Sequence, residues 1–332
     1  MGRVMSSIFL TKRFLEQGTL SDPGGIPDPT FSLPATLNWM RALAILVKDQ
    51  SIDAATMKGL CAVVTKGTLS DQAVNTVYEQ LLMSLHHLAA LKAMAALPNQ
   101  IDTARSAIVT WYYGIYHAVS AMNAAQDGSS QETHAETANA WDRHFAGRPW
   151  IPTPFSYRVN TLVRKDVEAA IVALRGSNSH NLNFEPSNAV EAFGACMSYL
   201  KGSANWRADY IEDDLKRKEL KNLGLSDFRT KQAIVLRDSR LTGKAFAFIH
   251  QAFRYRGKAN YREALFISYG SHIPAALGNF QNDMAAVLAG FLSMSGSFCA
   301  KRIGKDPWNT FYDDLTVNTT LSVAPVDVWK KL

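Results

Sequence analysis

From residue 34 onward, apolar side chains recur three and four positions apart, the spacing that gathers them on one face of an α-helix. Trp39, Leu43, Leu46 and Val47 form the first such stripe. Ser51 offers a hydroxyl to an early unbonded amide, which predicts a second helix from there to about residue 64. Val74, Val77, Leu81, Leu85, Leu88 and Leu91 predict one long helix over 71–96, stopped by Pro98. Ile108, Tyr112, Ile115, Val119 and Met122 mark the next, capped by Asp102 or Thr103 and closed by the turn residues 127–130. A third helix is expected over 132–145, an irregular Gly- and Pro-rich stretch over 147–154, and a helix over 155–174. A polar loop, 176–186, then leads to a helix capped by Ser187, with Val190, Phe193, Ala195, Met197 and Leu200 on its face. Helical patterns continue at 226–237, 242–254, 259–270 and 274–295, and the segment from Gly304 is less regular, with a strand conceivable at 316–323. No sustained alternation of period two occurs, so the predicted fold class is all-α.

Breaks in this pattern divide the chain. Gly18, Pro23, Gly24, Gly25, Pro27, Pro29 and Pro34 predict an extended arm over 1–34. A helical domain over 35–205 follows. The dense charges from Glu212 to Lys221 read as a solvated helix or linker, which places a boundary near 205 and a C-terminal helical domain over 206–332. The pentapeptide Gly-Thr-Leu-Ser-Asp occurs at 18–22 and 67–71 without a longer repeat around it. Its second copy is expected to end one helix at Gly67 and cap the next at Ser70 or Asp71.

Composition narrows the class without naming a function. A hydrophobic fraction of 47% over 332 residues supports a large core and excludes a disordered chain. The balance of 35 Lys and Arg against 29 Asp and Glu gives +6, which permits an acidic partner without requiring one. Cys61, Cys196 and Cys299 are odd in number and far apart, with no CxxC pair. Neither a disulfide framework nor a thiolate zinc site is expected, and a reducing cytoplasmic setting is. The apolar run Ile8-Phe9-Leu10 is too short for a secretory signal. Met1-Gly2 with Ser6 fits the myristoylation spacing formally, and an ordinary N-terminus is the simpler reading. The apolar stretch 284–294 falls short of the roughly 20 residues that span a bilayer, so it is expected to be a core helix and no membrane partner is expected.

Several chemistries lack their residues. There is no GxxxxGK[ST] loop, no GxGxxG after a strand, no HExxH and no GxSxG. Adjacent His86 and His87 diverge by about 100° on a helix, so they cannot hold one metal from one face. No metal site and no cofactor are expected.

What remains is Arg175-Gly176-Ser177-Asn178-Ser179-His180-Asn181, a polar stretch between two predicted helices. Arginine presents a permanently charged fork to a phosphate. Histidine titrates near neutrality and can move a proton to or from a 2′-hydroxyl or a leaving oxygen. Asn178 and Asn181 add donors and acceptors. Arg175-x4-His180 resembles the R-x(4–6)-H motif of the HEPN superfamily, helical domains found in toxins and phage-defence ribonucleases. The Tyr-rich segment 111–118 also looks like the aromatic helix of that superfamily, and the motif precedes a final amphipathic helix, 187–201. The resemblance covers roughly 70–203. It implies a HEPN-like helical bundle with an added C-terminal helical region, and metal-independent RNA cleavage. In that reading His180 is general acid or base, Arg175 binds the scissile phosphate, and two motifs face each other in a homodimer. A toxin–antitoxin or phage-defence setting implies an antitoxin or activator protein as partner. One departure stands out: family members often carry a polar residue after the Arg, where this chain has Gly176.

Two further groups are candidates. Tyr112, with Tyr113, Tyr116 and His117, could line a groove or simply fill core. The stretch 254–262 interleaves Arg254, Arg256, Lys258 and Arg262 with Tyr255 and Tyr261, residues that can contact phosphates and stack bases. The competing reading is a solvated turn around Gly257. At the level of function, the competing reading is a non-catalytic all-helical adaptor that binds nucleic acid or protein.

Overall fold

The computed structural model describes residues 20, 29–260, 267 and 277–332. Residues 1–19 and 21–28 of the expected arm, the myristoylation pattern, Tyr261, Arg262 and most of the helix expected over 259–270 lie outside them. The all-α expectation holds: eleven α-helices form the described chain. They are α1 (Pro29–Asp49), α2 (Ala54–Leu60), α3 (Asp71–Ala95), α4 (Ile101–Asp127), α5 (His134–His144), α6 (Arg164–Arg175), α7 (Ala189–Leu215), α8 (Lys231–Thr242), α9 (Phe248–Asn260), α10 (Phe280–Ile303) and α11 (Lys305–Asn318). The described strands are β1 (Arg158–Val159) and β2 (Phe246–Ala247), antiparallel, with Arg158 opposite Ala247 and Val159 opposite Phe246.

Local chemistry explains both the agreements and the corrections. Ser70 caps α3 by accepting from the Ala73 amide at 3.2 Å, and Gly128 closes α4 in the left-handed region at φ 77°. The second helix is capped by Asp53 rather than Ser51. The Asp53 carboxylate accepts from the Ala55 and Thr56 amides at 2.9 and 2.8 Å, which also holds its pKa below the ordinary range. A carboxylate there meets both the unbonded amides and the positive end of the helix dipole. The helix of the predicted arm begins at Pro29, so residues 29–34 are helical. Proline suits a first turn, where its missing N–H has no intrahelical partner. Pro34 gives up one bond, in a helix whose next turns bury Trp39, Met40 and Leu43. Residues 155–163 are not helical, because this stretch supplies β1. The tail from Gly304 forms α11, and no strand occurs at 316–323.

The boundary expected near 205 falls inside α7, which runs to Leu215 and continues as a π-helical turn, Lys216–Leu220. The charged run lies on this continuing helix, where Arg164 of α6 pairs with Asp209 and Glu212. The C-terminal helices complete the same core as the N-terminal ones. Trp39 of α1 shows how. Its ring stacks on Tyr199 of α7 at 4.1 Å and meets Trp111 of α4 edge-on at 5.9 Å. It also packs against Tyr255 of α9 at 4.8 Å. α10 runs through the middle against α4, α3 and α1. By length and composition it could cross a membrane, yet 89% of its most apolar window is buried inside the protein. An all-round apolar helix is what a large core requires at its centre.

Trp39→Ala is expected to cost about 3–5 kcal/mol and to lower one unfolding midpoint shared by the whole chain. Urea titration followed by aromatic circular dichroism and by fluorescence checks this. Two resolved transitions, with only one moved by the substitution, would contradict a single core.

A candidate active site at the loop between α6 and α7

α6 ends because Gly176 adopts φ 56° and ψ −130°, a backbone region that side chains other than hydrogen avoid. A larger residue after Arg175 would be strained there. The chain then folds back onto its own arginine. Arg175 Nε donates to the Asn178 carbonyl at 2.6 Å, and Nη2 donates to the His180 carbonyl. Asn178 is equally committed: its Nδ2 donates to the Val190 carbonyl at 2.6 Å, and its Oδ1 accepts from the His180 amide at 3.1 Å. Asn181 Oδ1 accepts from the Asn183 amide at 2.9 Å, an Asx turn. The loop thus has a defined conformation supplied by the residues of the motif itself.

The loop rests on α7 and α1. On α7, a Cβ at Gly194 would lie 2.5 Å from Asn178 Oδ1 and 2.9 Å from the His180 carbonyl oxygen, so glycine provides the seat. On α1, Asn38 Nδ2 donates to the Leu182 carbonyl at 2.9 Å. Arg41 pairs with Asp283 at 3.0 Å and reaches Glu185 at 3.9 Å. Burial pushes Asp283 up to about 6, against the opposing effect of Arg41.

Arg175, Asn178, His180, Asn181, Phe184 and Glu191 border one open depression of about 740 Å³. The His180 Nε2 lies 3.2 Å from the Phe184 carbonyl oxygen. A carbonyl only accepts, so in the neutral ring Nε2 carries the proton and Nδ1 holds the free lone pair. Glu191 accepts from the Ser187 amide and hydroxyl at 2.8 and 2.7 Å, which keeps its carboxyl below the ordinary range, with the His180 charge helping. Asn188, rather than Ser187, caps α7, accepting from the Glu191 amide at 3.0 Å. Arg175 Nη1 makes no hydrogen bond among the described residues. The arrangement offers one guanidinium edge, one imidazole lone pair and a carboxylate beside them.

The other expected site residues lie elsewhere. Tyr112 is buried, with its hydroxyl 2.9 Å from His134 Nδ1. Arg254 donates to Ser203 Oγ at 2.8 Å and lies over the Trp206 ring at 5.1 Å. Lys258 is buried with its Nζ 3.4 Å from Thr36 Oγ1, and Arg256 turns toward α4 and α5. These cations do not form one surface stripe and do not border the depression. The sequence pattern did not point to Gly194, Phe184, Asn38 or Arg41. Glu191 was missed as well, though an acid three residues after an Asn cap is a signal that could have found it.

No protein-family model, curated protein or solved structure matches this chain.

Gly194→Ala is expected to leave the helices folded while displacing the loop, at a cost of about 1–3 kcal/mol. Amide hydrogen exchange reads this directly. The His180 amide should exchange faster while α10 stays protected. Unchanged exchange at His180 would contradict the seat.

Proposed function

We propose that this protein is a metal-independent endoribonuclease of the toxin–antitoxin or phage-defence kind, cleaving at the loop between α6 and α7. The observation that carries the reading is that Arg175 and His180 border one open depression, with the imidazole lone pair and a free guanidinium nitrogen on the same loop. In this reading His180 Nδ1 takes the proton of a ribose 2′-hydroxyl. The O2′–P bond forms and the P–O5′ bond breaks. The leaving O5′ takes a proton from the imidazolium or from water, leaving a 2′,3′-cyclic phosphate and a 5′-hydroxyl. Arg175 Nη1 donates to the charged phosphate oxygens, where a preorganised donor lowers the barrier. Asn181 contacts the neighbouring nucleotide. A second copy of the chain faces the depression, and Leu174, Phe184 and Val190, 49%, 65% and 70% exposed, are apolar groups such a partner would cover. An antitoxin or activator acts on the same face, in the cytoplasm.

A second reading is favoured by one specific observation: Arg175 spends Nε and Nη2 on backbone carbonyls. A guanidinium used this way can serve purely to shape a loop, and the protein is then a non-catalytic helical adaptor for nucleic acid or protein.

Incubation of end-labelled RNA in EDTA separates the two. Wild type should cleave and leave cyclic phosphate ends. His180→Ala should lose a factor of about 10²–10⁴, and Arg175→Ala should lose comparable activity. Equal cleavage by all three proteins removes these residues from the chemistry. Salt-dependent RNA binding by wild type without any cleavage establishes the adaptor reading.

A further inference from the structure

A second cluster of chemistry lies where α4, α5 and α9 meet. The Arg256 guanidinium lies over the rings of Tyr112 and Phe253, 5.1 and 5.0 Å from their centroids. Its Nη1 lies 3.2 Å from His134 Nε2 and 3.5 Å from the Tyr113 hydroxyl. A guanidinium only donates, so His134 Nε2 must accept, and the ring proton sits on Nδ1 facing the Tyr112 hydroxyl at 2.9 Å. Tyr116 meets His134 edge-on at 4.7 Å. Beside it, His117 stacks on His87 at 5.4 Å and its Nδ1 lies 2.7 Å from Gln80 Oε1.

The charge balance of this cluster is one-sided. Burial lowers His87 to about 4, and burial also lowers His117 and His134, the last assisted by the Arg256 charge. At neutral pH the imidazoles are uncharged, and Arg256 is the permanent cation among them. Among the described residues it makes no ion pair with a carboxylate: its partners are Tyr113, His134 and the rings of Tyr112 and Phe253, and its buried Nε has no hydrogen-bond partner. A half-buried cation with no carboxylate beside it, whose Nη2 makes no hydrogen bond among the described residues, is suited to take an anion there, since a desolvated charge costs free energy unless paired. The rings beside it decide what kind of anion. Tyr113, Tyr116, His117 and His134 are all half-buried, so part of each side chain is open to solvent in the cluster around the guanidinium. Phosphate on a planar fork and a base on adjacent rings is the combination single-stranded nucleic acid offers.

We infer that the cluster of Arg256, His134, Tyr113 and Tyr116 is a binding site for single-stranded RNA, taking a backbone phosphate on Arg256 and an adjoining base on Tyr116. The site is separate from the depression at His180 and does not depend on cleavage there. Both arms of the test therefore use the His180→Ala protein, in which RNA stays intact. Anisotropy titration of a fluorescein-labelled single-stranded RNA should give binding that Arg256→Gln weakens at least tenfold. The logarithmic salt dependence should become shallower by about 0.7, the loss of one phosphate contact on a single strand. Tyr116→Leu should weaken binding about fivefold or more, as loss of a stacked base does. A parallel NMR titration needs no substitution in the cluster, so it stands even where Arg256→Gln fails to fold. RNA should shift the ring resonances of His134, the corresponding unphosphorylated nucleoside should not, and inorganic phosphate should do so only weakly. Unchanged affinity in Arg256→Gln, or RNA binding that leaves His134 unmoved, would overturn the inference. Inorganic phosphate acting as strongly as RNA would reduce the site to a simple anion site and overturn the RNA assignment. Absence of RNA binding altogether would do the same.

Discussion

The packing of Trp39 holds both the core and the candidate site together. Its indole ties α1 to α7, α4 and α9 through Tyr199, Trp111 and Tyr255. Its neighbours on the same helix, Asn38 and Arg41, reach the loop between α6 and α7. One helical turn therefore serves two purposes, because positions 38, 39 and 41 point in different directions around α1. A large aromatic fixed on several sides has no freedom to rotate its helix. The loop therefore inherits its position from the core, which is how a scaffold holds a site within the tolerance chemistry needs.

At the loop, shape and charge compete for one side chain. Arg175 is the clamp that closes the loop and, in the proposed function, also the cation offered to a phosphate. Each charge-assisted bond to a carbonyl contributes about 1.5–3 kcal/mol, enough to order a short polar loop against its own entropy. The two bonds use Nε and Nη2 and leave the Nη1 edge. Gly176 and Gly194 complete the arrangement, one by accepting a backbone conformation closed to other residues and one by leaving room for the loop on α7.

How much of this was legible in the sequence depends on range. The α3 stripe from Val77 to Leu91, the stop near Pro98 and the closure at Gly128 follow from neighbours within a turn or two, and they were readable. Caps were less so: Ser51 and Asp53 are both plausible, and the choice rests on backbone geometry. The charge run after residue 211 looked like a linker because a solvated helix face and a linker share one composition. The basic stretch looked like a surface because linear spacing hides direction. Arg254 and Lys258 are four apart and share a face, while Arg256, two residues from each, turns away by about 200°. The motif Arg175-x4-His180 was legible as a local pattern. Its support by Asn38, 144 positions from Leu182, was not, because nothing in the periodicity of α1 records a partner that distant.

In the proposed function Arg175 acts as a fork rather than as a bare charge, so RNA cleavage by Arg175→Lys tests that role most directly. Lysine keeps the positive charge but cannot hold the Asn178 and His180 carbonyls together while facing a phosphate. The predicted result is a folded protein with an unchanged helical spectrum, a mobile loop and cleavage reduced by about 100-fold. Cleavage at the wild-type rate by Arg175→Lys would contradict the account.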